Sequence, residues 1–183
     1  MKRLPAIFLL LLVALPAGAS GSQAFGLAWG VSYPTGDTGD YISRISFRGA
    51  SVEYRNYYRP DATWGLNVGW NVFNQKTDET LELGDVAATG RIWRYVNAVP
   101  IYAQWATTFS TDRRDVRPFA GLNAGTVWIE RRTDMGLWRL EEKNWHLALA
   151  PEVGLHLPYD SILGFISMRY HYAFEGGDSE AQQ

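Results

Sequence analysis

From residue 25 onward the chain alternates bulky apolar residues with small or polar ones, with a period of two. Phe25, Leu27, Trp29, Val31 and Tyr33 share one phase, and Gly26, Ala28, Gly30 and Ser32 share the other. The rhythm returns in Trp64, Leu66, Val68, Trp70 and Val72 against Gly65, Asn67, Gly69 and Asn71, and again across 145–157. Successive side chains of a strand point to opposite faces, so the pattern predicts strands. Seven are expected, over 25–33, 48–58, 63–73, 97–108, 117–130, 145–157 and 162–174. Each matches or slightly exceeds the about 9–11 residues that cross a bilayer at a tilt. Long polar loops (34–47, 74–96, 131–144) alternate with shorter turns (59–62, 109–116, 158–161). A barrel with one end outside the cell and the other in the periplasm has this asymmetry. Arg59-Pro60-Asp61 and Pro158-Tyr159-Asp160-Ser161 supply turn chemistry.

The second phase decides the class. A strand face in water carries Lys, Glu, Thr and Arg, whereas here it is largely Gly, Ala, Asn and Ser. Such residues suit the interior of a narrow barrel. The bulky phase then points outward, which is tolerable only where the solvent is lipid. The expected fold is therefore all-β: an antiparallel up-and-down transmembrane barrel of eight strands, with the last absent from this chain. A further strand inside 74–97, or closure by another chain, are the alternatives. Missing one strand, the sheet would expose two unpaired edges and be poorly stable in lipid or prone to aggregate.

The first residues follow a different rule. Lys2 and Arg3 form a positive start, Leu4 to Pro16 is an almost unbroken apolar run, and Ala17-Gly18-Ala19 is a small-residue cleavage site. This is the pattern of a secretory signal peptide over 1–19, the run being too short to span a bilayer as a helix. Cleavage after Ala24 is the second choice, and a short membrane anchor the alternative. Residues 25–183 form the barrel domain, truncated at its C-terminus.

The 183 residues contain no cysteine, which excludes disulfides, thiolate metal sites and a lipoprotein anchor. The net charge of −2, which becomes −4 (15 basic against 19 acidic) without residues 1–19, argues against a nucleic-acid partner.

Aromatic residues fall near strand ends, where amphipathic rings favour the headgroup level. Trp128, Trp145, Tyr170 and Tyr172 mark the outer girdle, and Tyr58, Trp64, Trp105 and Phe109 the periplasmic one.

The segments FGLAWGVSY, RPFAGLNAGTVW and LGFISMRYHYAF resemble the small bacterial outer-membrane barrel domains of the OmpA, OmpX and OmpW type. Arg117-Pro118-Phe119-Ala120-Gly121-Leu122, followed by Gly125, is similar to the fifth strand of such proteins. The resemblance implies a barrel in the outer membrane ending on a strand with a terminal aromatic, in place of which this chain has Ala181-Gln182-Gln183. The family holds anchors, receptors, narrow pores and enzymes, so the resemblance implies architecture and not activity.

Charged residues on the inward phase are the best candidates for chemistry. These are Glu53 and Arg55 on the second expected strand, Glu152 on the sixth, and Arg169 and His171 on the seventh. A tight turn near Tyr159-Asp160 is expected to set Glu152 opposite Ser167 with Arg169 diagonal. Charges in a narrow lumen must be paired or hydrated. A plug of salt bridges is the plain reading, and a selectivity ring or gate the sharper one. His146 and His156 lie too far apart to share a metal. Arg169-Tyr170-His171-Tyr172 resembles a strand of outer-membrane lipid A deacylases, but Ala173 stands where that family has a serine. Asp37 and Asp40 fit a solvated turn, and the acidic residues Asp78, Glu79, Glu82 and Asp85 an extended outer loop.

The sequence therefore predicts a non-enzymatic outer-membrane barrel with a structural or interaction role and no cofactor or metal. A narrow pore for small or hydrophobic solutes, a lipid-modifying enzyme and a soluble lipocalin-like carrier are the alternatives. Its expected partners are outer-membrane lipid and lipopolysaccharide, and the barrel-assembly machinery during insertion.

Overall fold

The alternating segments are strands. The computed structural model describes residues 7–20, 23–83, 86–109, 116–136, 138–159 and 162–174. In chain order the strands are β1 (Ile7–Ser20), β2 (Gln23–Thr35), β3 (Ser46–Arg59), β4 (Ala62–Leu83), β5 (Val86–Thr108), β6 (Arg117–Met135), β7 (Trp138–Tyr159), β8 (Ile162–Tyr170) and β9 (Tyr172–Ala173). Each pairs antiparallel with the next from β1 to β8, and β1 pairs with β8 to close the ring. The short β9 continues β8 in one register along β7: Glu152 faces Arg169, and Leu149 faces Tyr172. Eight strands thus go round the barrel, in up-and-down order.

Three expectations change. The eighth place in the ring, expected to be empty, is held by β1, from the segment read as an export signal. A seven-strand sheet would leave the facing edges of β2 and β8 unpaired, at several kcal/mol per buried backbone group in hydrocarbon. The apolar run supplies partners to both edges.

The expected loops 74–96 and 131–144 are instead ladder. Pairing between β4 and β5 runs on to Leu83–Val86, and between β6 and β7 to Met135–Trp138. There Lys76 and Asp78 alternate with Gln75 and Thr77. The hydrophobic pattern ends while the backbone hydrogen bonds continue, so polarity there does not mark a loop. Gly136, at φ +57°, makes the β6–β7 turn.

The connection 34–47 contains a short helix, α1 (Gly36–Tyr41), and buries Thr38 and Ile42 completely. The turn around 59–62 is present between β3 and β4. The centres of the turns at 109–116 and 158–161 lie outside the described residues.

The two phases face as the side-chain sizes require. Leu66, Val68 and Trp70 on β4 are about half exposed, while Asn67 and Asn71 on the opposite phase are buried. Small residues allow the strands to approach. A Cβ on Gly65 would lie 1.9 Å from the Tyr54 carbonyl oxygen, and one on Gly154 would lie 2.7 Å from the Phe119 ring.

Candidate functional site

The barrel interior is built in two tiers. Toward the short-turn end, inward positions of five strands converge on one charge network. β3 contributes Glu53 and Arg55, two residues apart and so on one face; β4 contributes Asn67, β6 Asn123, β7 Glu152, and β8 Arg169. The β7–β8 register sets Arg169 directly opposite Glu152 and Ser167 opposite Gly154. This corrects the expected Glu152–Ser167 pairing by two residues, because the β7–β8 ladder runs on to Tyr159–Ile162 and leaves a tighter turn.

Arg169 donates through Nη2 to Glu53 Oε1 at 2.9 Å and to Glu152 Oε2 at 3.0 Å. Its Nη1 donates to Asn67 Oδ1 at 3.0 Å. Arg55 donates to Glu53 Oε2 from Nη2 at 2.9 Å and from Nε at 3.1 Å, and reaches Glu152 Oε1 at 3.4 Å. Asn67 and Asn123 donate to Glu53 and Glu152 at 2.9 and 3.1 Å. Two carboxylates and two guanidiniums thus form a closed neutral quartet, no member more than 3% exposed. Burial of unpaired charge would cost far more than the pairing returns, so the quartet stands only as a unit.

Arg55 is also held between rings, its Cζ 5.0 Å from the Phe119 centroid and 5.2 Å from that of Phe165. Phe119 stacks on His156 at 4.3 Å, and Arg55 Nη1 lies 3.4 Å from His156 Nε2. His171 lies apart from the quartet, one level nearer the hairpin end, with Nδ1 2.9 Å from the Tyr102 hydroxyl. Sequence reasoning did not assign roles to Asn67, Asn123, Tyr102, Phe119 and His156. Their inward phase was legible, but the stagger that sets them level with the quartet was not.

Toward the hairpin end the interior turns apolar. Ile42, Phe73, Val96 and Ile129 pack there, each at most 4% exposed. Tyr41 caps them, its hydroxyl bonded to Thr133 Oγ1 and its ring 5.5 Å from Arg94 Cζ. Gln75 Oε1 accepts from the Ser43 amide at 2.8 Å and ties down the same connection. Burial raises the Tyr41 phenol pKa above its ordinary value, so the hydroxyl stays protonated. Between the tiers a cavity of about 10 Å³ touches Asn71, Tyr102 and His171, and on the short-turn side of the quartet a second of about 20 Å³ touches Glu53, Arg55 and His156. Each has room for about one water.

The aromatic positions lie on the outer surface. Tyr58, Trp64, Trp105, Trp145 and Tyr170 are exposed, whereas Trp128 and Tyr172 are half-buried. Trp64 pairs with Trp105 across β4 and β5, and Trp128 with Trp145 across β6 and β7. The two pairs sit at opposite ends of the apolar band. Phe109, also exposed, follows β5 at the short-turn end.

No family model and no curated protein matches this chain. The solved structure of Ail, the attachment invasion locus protein of Yersinia pestis, is similar over 93% of this chain and 99% of its own, with 12% identity and a TM-score of 0.36. So loose a likeness carries nothing about activity or partners.

Above the apolar band β4, β5, β6 and β7 project as one sheet. An open groove of about 580 Å³ runs between its hairpin tips, touching Arg91, Trp93, Asp134 and Trp138. Among the described residues no group of three His, Cys, Asp or Glu side chains could hold a metal ion.

Proposed function

We propose that this chain is an exported, non-enzymatic outer-membrane barrel with a structural or interaction role. One observation carries the reading: the barrel is inside out by the standards of a soluble protein. Trp29, Val52, Leu66, Val68, Leu147 and Val153 are about half exposed or more on its outer face, while Glu53, Glu152 and Arg169 are enclosed. In water such a surface would be a large exposed apolar patch; in lipid it is the required solvent contact. The filled interior favours this role over a conducting pore, and the projecting sheet with its groove favours interaction at the hairpin end. Outer-membrane lipid and lipopolysaccharide are then the surrounding partners, with the barrel-assembly machinery acting at insertion.

The test is cell fractionation. The protein should remain in the outer-membrane fraction after urea washing and migrate differently on gels before and after boiling. Recovery in the soluble periplasmic fraction would remove the reading. Planar bilayers should show no conductance steps.

Export implies removal of residues 1–19, and an intact mass beginning at Ser20 is the expected result. Removal vacates the seam between β2 and β8.

A further inference from the structure

The cations near the hairpin-end rim are of two kinds. On β5–β7 the exposed cations and Arg132 pair with neighbouring carboxylates, Arg91 with Asp78, Arg132 and Arg139 with Asp134, and Lys143 with Glu130 and Glu141, while Arg94 and Arg131 are half-buried, Arg94 donating to the Tyr41 carbonyl. On the β3–β4 side Arg44, Arg48 and Lys76 are exposed, and among the described residues none of the three pairs with a carboxylate.

A β-bulge aims Arg48. Gly30 faces Gly49 and Ser32 faces Ser46, so Val31 alone opposes both Phe47 and Arg48. A bulge of this kind re-aims a side chain. Phe47 and Arg48 are exposed in succession where strict alternation would hide one of them. Two contacts brace the bulge: Trp29 Nε1 donates to the Phe47 carbonyl at 2.9 Å, and the Arg48 amide donates to Ser46 Oγ at 3.1 Å. Ala50, two residues along, pairs with the exposed Trp70. Arg48 thus lies just above the exposed Trp29 and Trp70 and beside Phe47. Lys76, six residues beyond Trp70 on the same phase, lies higher, with Nζ 4.8 Å from the Trp93 centroid. Over those six residues β4 rises about 20 Å along its length.

We propose that this β2–β4 face is a binding site for the phosphate-bearing headgroup of a lipid in the surrounding leaflet. Trp29, Phe47 and Trp70 contact its chains, and Arg48 and Lys76 its phosphates. A guanidinium offers forked donors to phosphate, and an ammonium a compact charge. Uncompensated cations beside half-exposed aromatics suit an amphiphile with an anionic head, while the self-paired cations of β5–β7 have no such vacancy. The inference rests on the membrane reading above.

The full chain, refolded in zwitterionic micelles, is titrated with bis-phosphorylated lipid A and with the same lipid dephosphorylated; native mass spectrometry reads retention. The phosphorylated lipid should be retained at least tenfold better. R48A/K76A should abolish that preference, and R139A/K143A, which removes two self-paired cations, should leave it intact. Both variants alter exposed side chains, and unchanged heat-modifiable migration verifies their fold. Equal retention of the two lipids by the unmodified chain, or an equal loss in both variants, overturns the site. Displacement of the lipid by equimolar inorganic phosphate overturns its lipid source. Flotation with zwitterionic vesicles is a separate readout: failure there removes the membrane reading, whereas flotation without headgroup preference removes only the site.

Discussion

The two tiers of the interior fill the same barrel with opposite chemistry. Toward the short turns, Glu53, Arg55, Glu152 and Arg169 form a closed quartet; toward the hairpins, Ile42, Phe73, Val96 and Ile129 form a dry plug. The ionic tier is drawn from strands alone, so its geometry is fixed by register. The apolar tier needs Ile42, from the connection that follows α1, and so depends on a segment outside the ladder. One tier is rigid and intolerant of single losses. The other can relax around a loss, because its cap is held by only a few side-chain contacts.

The largest expected effect comes from breaking the quartet's neutrality. Arg169→Met leaves two buried carboxylates to share Arg55 and should destabilise the barrel by about 3–5 kcal/mol. Urea unfolding in lipid vesicles, followed by tryptophan fluorescence, measures it. Adding Glu152→Gln restores neutrality and should recover a substantial part of the loss. If the double variant is no better than the single, shape and not charge governs this tier.

The plug is the counterpart. Phe73→Ala removes a fully buried ring and should cost about 3 kcal/mol, near the low end for such truncations because the cap can settle inward. The same variant should still show no conductance, since the quartet closes the barrel below it. Conductance steps from Phe73→Ala would place the seal in the apolar tier alone.

The quartet also depends on how closely its neighbours pack. Gly154 lets the Phe119 ring lie against His156 and Arg55. Gly154→Ala should cost about 1–3 kcal/mol by overpacking, read in the same unfolding assay. A neutral result would mean that both the Phe119 ring and the Ile166 carbonyl, 2.5 Å from such a Cβ, can give way.

Legibility from sequence followed the same division. The strands, their facing and the inward acids and bases were readable, because these strands separate bulky exposed residues from small buried ones with a strict period. Glu53 and Arg55 were readable as one pair by spacing alone. The level at which β7 and β8 meet was not: the sequence places Arg169 diagonal to Glu152 and within reach of it, and the ladder sets the two directly opposite. The long hairpins were missed because Lys76, Asp78, Arg132 and Asp134 are polar on strands that leave the apolar zone, where composition no longer reports on pairing. The plug was missed because α1 has six residues and no hydrophobic period to announce it, so nothing marked Ile42 as different from any other loop residue. The apolar run in β1 shows the reverse limit: it reads as an export signal, and the same residues fit the seam that β2 and β8 leave open.

The smallest effect tests whether the cap is part of the plug or merely rests on it. Tyr41 meets Thr133 through its hydroxyl and Arg94 through its ring, so Tyr41→Phe removes one hydrogen bond and keeps the ring contact. A single half-buried hydrogen bond contributes about 1 kcal/mol, so global unfolding should shift by no more than that. The informative readout is local. A backbone hydrogen bond from the Ile42 amide to the Thr38 carbonyl at 2.8 Å closes the end of α1, and its exchange with solvent should report the cap opening. If Tyr41 latches the cap, amide exchange at Ile42 should accelerate about fivefold, while exchange in β3 near Glu53 stays unchanged. Acceleration at both places would mean the tiers unfold as one unit, and the contrast between a rigid ionic tier and a yielding apolar one would fail.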